Sequence, residues 1–564
     1  MARIGVPHVA RRGARHTRLR RHAAPQVVAV AHLHGGLPMR RPATLPLPHD
    51  RSPCDLRPCD ACAASRRDAA HRPPARGTVR GPRAERAMRQ HAAWRTARAA
   101  AATATIGLLM IACTDPIAPR GARTTAGSAA AAISSAAVDV DLGTTLVTFR
   151  AQDVPANFEA RVAALGGRVV LTVPQIGVAS VMVGEAGAAS LAAASDVLAV
   201  GPEAAPTPGG VQLRGPTAPA GPPIDFLSEP LGFLQQWHLE LVGADDALAA
   251  GRTGEGALIG VIDTGIYYDH PDLAPNYAGG RNFFAPYCAL DPQRLPSTCD
   301  PDDPVDDLFH GTAVAGIIAA AANGVGMVGV APKARLLAAR VCGRTVGCPE
   351  AALLAGIVYA ADQRVDAMNI SVNGYQLIAR RYSPMFAAFQ RAVAYAHARG
   401  ALVVAAAGNE DFDLNHLGQY APGLPDALKQ LWNQGTLLLV SGLGPDARPS
   451  TLFGTVFTNR GMMIDLAAPS GTFPELESLV WSTSSPLGPD LPGVLWTGFI
   501  GTSFATPHVT GAAAQVVGAY GHIGPSRIAA RLRQTATDLG KVGHDEVYGD
   551  GLVNVAAAVG LPMW

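Results

Sequence analysis

The chain has 564 residues, room for two to four domains at about 150 residues each, which excludes a single small domain. It is rich in alanine and glycine, poor in aromatics, and carries a formal net charge of +2 with 16% charged residues. That balance argues neither for nor against a polyanionic partner, and it hides an asymmetry. About twenty arginines and no lysine fall in the first hundred residues, whereas the chain from about residue 140 onward is acidic.

Residues 1–87 show no sustained apolar period and run through Arg, Ala, Pro and His, as in Arg11-Arg12 and Arg20-Arg21. A disordered nucleic-acid-binding arm is one reading. A start placed too far upstream is the other, because a secretion signal begins at Met88. The stretch has no Phe, Trp or Tyr to stack on bases, and no nucleic-acid partner is expected. Residues 88–113 combine Arg89, Arg95 and Arg98 with an apolar run over 99–112 that is short for a membrane span. Leu109-Met110-Ile111-Ala112-Cys113 is similar to a bacterial lipobox, which makes Cys113 a lipidation candidate; ordinary signal cleavage is the alternative. Residues 114–143 read as linker.

An exported chain is expected to use its cysteines as disulfides. Cys288 and Cys299, and Cys342 and Cys348, form two close pairs, although four cysteines allow three connectivities and all stay open at this point.

Residues 144–203 alternate as strand 145–149, helix 157–165, strands 168–173 and 178–183, helix 188–194 and strand 197–200. That βαββαβ order predicts a small ferredoxin-like α+β unit. The Pro- and Gly-rich residues 204–235 predict a linker carrying a processing site. In residues 236–564, apolar strands at 257–263, 334–341, 365–372, 401–406, 437–441 and 462–466 alternate with helices at 312–322, 350–362 and 384–398. The expected class is α/β, a doubly wound, mainly parallel sheet with helices on both faces. Such sheets place their sites at the carboxyl ends of the strands.

Asp263 ends the 257–263 strand, His310 precedes a helix, Asn409 follows the 401–406 strand, and Ser503 opens the last main helix. Each has a local structural role open to it: a turn for Asp263, a helix cap for His310 or Ser503, a Gly-Asn turn for Asn409. The order Asp, His, Ser, each in its strand or helix context, is one of the known chain orders of a Ser-His-Asp triad.

On these motifs the chain resembles the subtilisin-like serine proteases, the subtilases. The residues are Ile262-Asp263-Thr264-Gly265, His310-Gly311-Thr312 and Gly501-Thr502-Ser503-Phe504-Ala505-Thr506-Pro507, with Gly329-Val330-Ala331-Pro332 in support, over roughly 236–560. The resemblance implies a serine endopeptidase acting on polypeptides, made as a zymogen, with 144–203 as an inhibitory propeptide and intramolecular partner. It implies Asp263, His310 and Ser503 as catalytic residues and Asn409 with the Ser503 N–H as the oxyanion site. Ser371, Val372, Asn373 and Gly374 would bind substrate as an added strand. A catalytically silent peptide-binding module on the same scaffold is the alternative. Three positions depart from the family pattern: Ala313 for a second histidine, Asn373 for a glycine, and Ser470 after Pro469. No cofactor is needed for the chemistry. The acidic run Asp300, Asp302, Asp303, Asp306, Asp307 reads either as a solvated loop or as a structural Ca²⁺ site, with Asp302, Asp303 and Asp306 as candidate ligands.

Overall fold

A computed structural model describes residues 142–206, 211–212, 236–372, 384–419, 437–489 and 492–562. Its first elements are β1 (Thr145–Phe149), α1 (Phe158–Ala164), β2 (Arg168–Val173), β3 (Val178–Met182), α2 (Glu185–Ala192) and β4 (Val197–Pro202). The sheet runs β2-β3-β1-β4 with every pair antiparallel, which is the ferredoxin-like arrangement expected. Strand alternation gives it two apolar faces. Val147, Phe149, Ala179 and Val181 meet Phe158, Val162 and Leu191 of the helices, with Phe149 and Phe158 edge to face at 4.9 Å. Leu146, Val173, Ile176 and Val178 point the other way and join the core of the larger body. Helix α2 starts earlier than the pattern predicts, because Gly187 is held inside it against Val183 and does not break it.

Part of the expected linker is not linker: β5 (Val211–Gln212) pairs antiparallel with a strand of the body. The body follows with α3 (Trp237–Leu241), α4 (Ala244–Ala249), β6 (Leu258–Asp263), β7 (Tyr277–Asn282), α5 (His310–Ala319), β8 (Arg335–Arg340), α6 (Glu350–Asp362), β9 (Ala367–Ile370), α7 (Pro384–Ala398), β10 (Leu402–Ala406) and β11 (Leu437–Leu443). It ends with β12 (Leu466–Pro469), β13 (Val480–Thr483), β14 (Trp496–Ile500), α8 (Thr502–Tyr520), α9 (Pro525–Gln534) and α10 (Val555–Ala558).

The main sheet is seven-stranded and parallel, in the order β12-β11-β10-β9-β6-β8-β7. Its strands are apolar on both faces, and successive residues sort to opposite layers. Leu337, Ala339, Val403 and Ala405 pack with α6 and α7. Leu336, Ala338, Leu402 and Val404 pack with α5, α8 and α9. This is the doubly wound class expected.

Strands β12 and β7, like β13 and β14, differ from expectation. The apolar run 462–466 is not a strand until its last residue; β12 is Leu466–Pro469, whose alanines fit under the small residues of α8. Packing there overrides the weak strand propensity of alanine. Edge strand β7 escapes the periodicity because Gly279 and Gly280 carry no side chain to alternate and the register shifts between Tyr277 and Gly280. Both cysteine pairs are bonded as Cys288–Cys299 and Cys342–Cys348. No helix among the described residues is long and apolar enough to cross a membrane.

Candidate active site

Asp263 ends β6, where the strand order turns: β8 follows on one side and β9 on the other. A crevice opens outside the carboxyl ends of the strands at such a switch point. The segment leading to His310 is anchored beside it. Buried Asp306 accepts the Leu308 N–H and the Thr312 N–H, both at 2.9 Å, which ties the segment to the first turn of α5. Asp307 makes a buried ion pair with Arg340 at 2.8 Å and a second contact with Arg344 at 3.1 Å. The acidic run is therefore not a solvated loop at Asp306 and Asp307. Asp303 accepts from the Tyr268 hydroxyl and Asp302 is exposed, so Asp302, Asp303 and Asp306 do not converge on one point. Among the described residues no group of three His, Cys, Asp or Glu side chains is placed to hold a metal ion.

Helix α5 brings its first residue onto Asp263. His310 Nδ1–H donates to Asp263 Oδ1 at 2.8 Å, with both side chains buried. The same oxygen accepts the Thr264 N–H at 2.7 Å. Since the carboxylate can only accept, the proton belongs on Nδ1, which makes Nε2 the basic nitrogen of the neutral ring. Gly311 permits the approach: a Cβ there would lie 2.1 Å from the Gly265 carbonyl, and its N–H donates to Thr264 Oγ1 at 2.8 Å.

Ser503 is the second residue of α8, after Gly501 at φ 134°, a conformation that L side chains rarely adopt. Its own N–H belongs to the first turn, where a helix leaves donors unpaired. Phe504 sets its ring 5.3 Å from the His310 ring, which brings the first turn of α8 to the histidine. Pro507 lacks the N–H that would bond the Ser503 carbonyl one turn back. Ser371 replaces it: its Oγ–H donates to that carbonyl at 2.7 Å, while Ser503 Oγ–H donates to the Ser371 carbonyl at 2.9 Å. Asn369 holds Ser371 in turn, donating from Nδ2 to its Oγ at 2.8 Å and accepting from Thr510 at 3.0 Å.

The oxyanion candidate is fixed by the same helix. Asn409 Oδ1 accepts the Thr502 N–H at 2.8 Å and the Thr502 hydroxyl at 3.0 Å. These two donors identify the oxygen of the amide, so Nδ2 is the end left for a ligand. A second buried histidine, His508, directly follows the serine motif and is a different object. His508 Nδ1–H donates to the Phe504 carbonyl at 2.8 Å and its Nε2 meets His238 Nδ1 at 2.8 Å, in the core. Burial pushes its pKa down to about 3, so it is neutral and no rival to His310.

The family departures have local accounts. Ala313 sits in an apolar cluster with Trp237, Phe499 and Phe504. Ser470 is buried and shares a 2.6 Å hydrogen bond with Ser450. Ser371 and Val372 are buried at the end of β9, and Asn373, Gly374 and Cys113 lie outside the described residues. Sequence reasoning missed Thr502 and Asn459. Thr502 lies inside the serine motif, but nothing near Asn459 marks it.

The subtilase family profile matches residues 254–551. The chain belongs to the subtilase family. Subtilisin DY of Bacillus licheniformis is 30% identical over 322 residues, covering 57% of this chain and 97% of the relative. Subtilisin Savinase of Lederbergia lenta is 33% identical over 324 residues, with the same coverage of 57% and 97%. This subtilase is thus a serine-type endopeptidase with polypeptide substrates. Its fold also matches the solved epidermin leader peptide processing serine protease of Staphylococcus aureus, at TM-score 0.58 and 23% identity over 74% of this chain and 97% of that one. Fervidolysin of Fervidobacterium pennivorans matches at TM-score 0.54 and 24% identity, over 75% and 61%.

Proposed function

We propose that this subtilase cleaves peptide bonds through an acyl-enzyme on Ser503 and that its first substrate is its own chain. The supporting observation is the buried His310–Asp263 contact at the switch point, with the first turn of α8 beside it. Ser503 Oγ rotates from the Ser371 carbonyl to His310 Nε2, loses its proton there and attacks the substrate carbonyl. Asp263 orients the ring and stabilises the imidazolium, which then protonates the leaving amine. The oxyanion meets the Ser503 N–H and Asn409 Nδ2. Active-site hydrogen bonds are commonly loose before substrate binds and tighten in the complex. Asp302, Asp303 and Asp306 do not fit a calcium site, and no step is routed through an ion.

The zymogen reading rests on how residues 142–206 lie on the body. Their free sheet face packs on α6 and α7. Arg391 of α7 donates to the carbonyls of Phe149 at 2.7 Å and Ile176 at 3.1 Å. Beyond β4 the chain continues on the body: Glu350 N–H donates to Ala204 O at 3.0 Å and Cys348 N–H to Pro206 O at 2.8 Å. Then β5 pairs with Phe499 and Ile500, the latter three residues before Ser503. Backbone held as an added strand is how a sheet edge binds peptide. Cleavage within 202–237 would free the unit to act as an inhibitor. The two disulfides support export. Because Cys113 precedes the unit, cleavage would also part the peptidase from any lipid anchor. Expression of Ser503→Ala should yield only the uncleaved precursor, and efficient self-cleavage of that variant would refute the mechanism.

A further inference from the structure

We propose that Asn459 is the positioning residue of the oxyanion site, setting the loop from which Asn409 aims its amide; this rests on reading Asn409 as the oxyanion donor. Asn459 lies between β11 and β12 and is fully buried. Its side chain is saturated with bonds to one loop. Oδ1 accepts the Phe412 N–H at 2.8 Å and the Glu410 N–H at 3.1 Å. Nδ2 donates to the Ala407 carbonyl and to Glu410 Oε2, both at 2.9 Å. Its backbone N–H donates to the Gly408 carbonyl at 3.1 Å.

These five bonds reach residues 407, 408, 410 and 412, bracketing Asn409 without touching its side chain. Glu410 closes the ring, since Oε2 also accepts the Asn409 N–H at 2.8 Å. The loop needs such a clamp. It leaves β10 just before Asn409, and Asp411 is held at φ 55°, a left-handed conformation that a residue with a side chain adopts at a cost. Only a primary amide offers two acceptor sites and two donors in one plane. Aspartate keeps the two acceptor contacts but faces the Ala407 carbonyl and the Glu410 carboxylate with no donor. Asn409 is thus fixed twice: Thr502 holds the amide oxygen and Asn459 holds the backbone. An oxyanion donor misplaced by about 1 Å costs on the order of 10²-fold in rate.

The test uses the full-length chain after maturation and steady-state hydrolysis of a peptide anilide. Asn409→Ala is expected to lower kcat by about 10²–10³-fold. Asn459→Ala should lower kcat by about 10–100-fold with KM within about threefold, since substrate binds elsewhere. Asn459→Asp, which keeps the volume and half of the bonds, serves where the alanine variant does not fold and should lose about 10-fold. The deciding readout is the double variant. In an Asn409→Ala background either change at 459 should have almost no further effect, because no amide is left to aim. Effects that multiply in the double variants, a loss confined to KM, or wild-type kcat in both 459 variants would overturn the positioning role. An Asn409→Ala enzyme with wild-type kcat would instead refute the oxyanion reading on which the proposal stands.

Discussion

At the level of single residues, Ser503, the proposed nucleophile, is held by partners that the serine motif alone does not name. Pro507 removes the N–H that would have bonded the Ser503 carbonyl, and Ser371 supplies the missing donor from another strand. Ser371→Ala would leave that buried carbonyl unpaired. The expected cost is about 1–3 kcal/mol of stability, read as a lower denaturant midpoint at unchanged slope. Gly311→Ala tests the approach of His310 to Asp263. A Cβ 2.1 Å from the Gly265 carbonyl must push α5 off β6, so activity should fall to the level of His310→Ala while Ser503 stays in place. A Gly311→Ala enzyme with near wild-type kcat would show that the helix has room the structure does not give it.

At the level of elements, the long apolar pieces were legible and the irregular ones were not. Helices α6 and α7 and strand β10 stand out in the sequence because apolar runs with clear ends leave one choice of period. Strand β7 and the β13–β14 pair do not, since glycines and an edge position blur the alternation. The four candidate site residues were readable because each sits at the end of a legible element. Their supports, Asn369, Asn459 and Thr264, were not, because a buried polar residue gains its meaning only from partners far along the chain. The acidic run before His310 shows the same limit: its charge was visible, but the burial of Asp306 and Asp307 against Thr312 and Arg340 was not. Among the cysteines, Cys342–Cys348 shapes the turn whose Cys348 N–H binds Pro206 O. Replacing both with serine should cost about 2–4 kcal/mol by the loop-closure account and weaken retention of the cleaved N-terminal unit, measurable by gel filtration of the processed protein.

Across the whole molecule, the contact between the N-terminal unit and the body contains two carboxyl groups. Glu203 is buried between Thr144 and Ser180 on its own side and Tyr287 and the Ala351 N–H on the other. Burial pushes its pKa above the ordinary 4.5 despite these donors. Glu350, at the start of α6, is pushed well above 4.5, first by burial and then by Glu203. Tyr287 is the other titrating group that faces them, itself pushed well above 10 by burial, and no cation pairs with either carboxylate among the described residues. Both pKa values are raised in the docked state, so docking takes up protons. The contact is fully favoured below the ordinary carboxylate range and weakens as pH rises through the docked values. Cleaved protein held at acidic pH should release the unit on shifting to alkaline pH, and Glu350→Gln should flatten that dependence. Retention that strengthens with rising pH would contradict the sign.

We propose Ser503 as the nucleophile activated by His310 and Asp263, and this assignment is open to direct test. It is tested most directly by fluorophosphonate labelling of the matured enzyme, with the modified residue mapped by peptide mass spectrometry. One modified residue, Ser503, is expected, with labelling that all but disappears in His310→Ala. Modification of a different serine, or undiminished labelling of Ser503 without His310, would contradict the assignment.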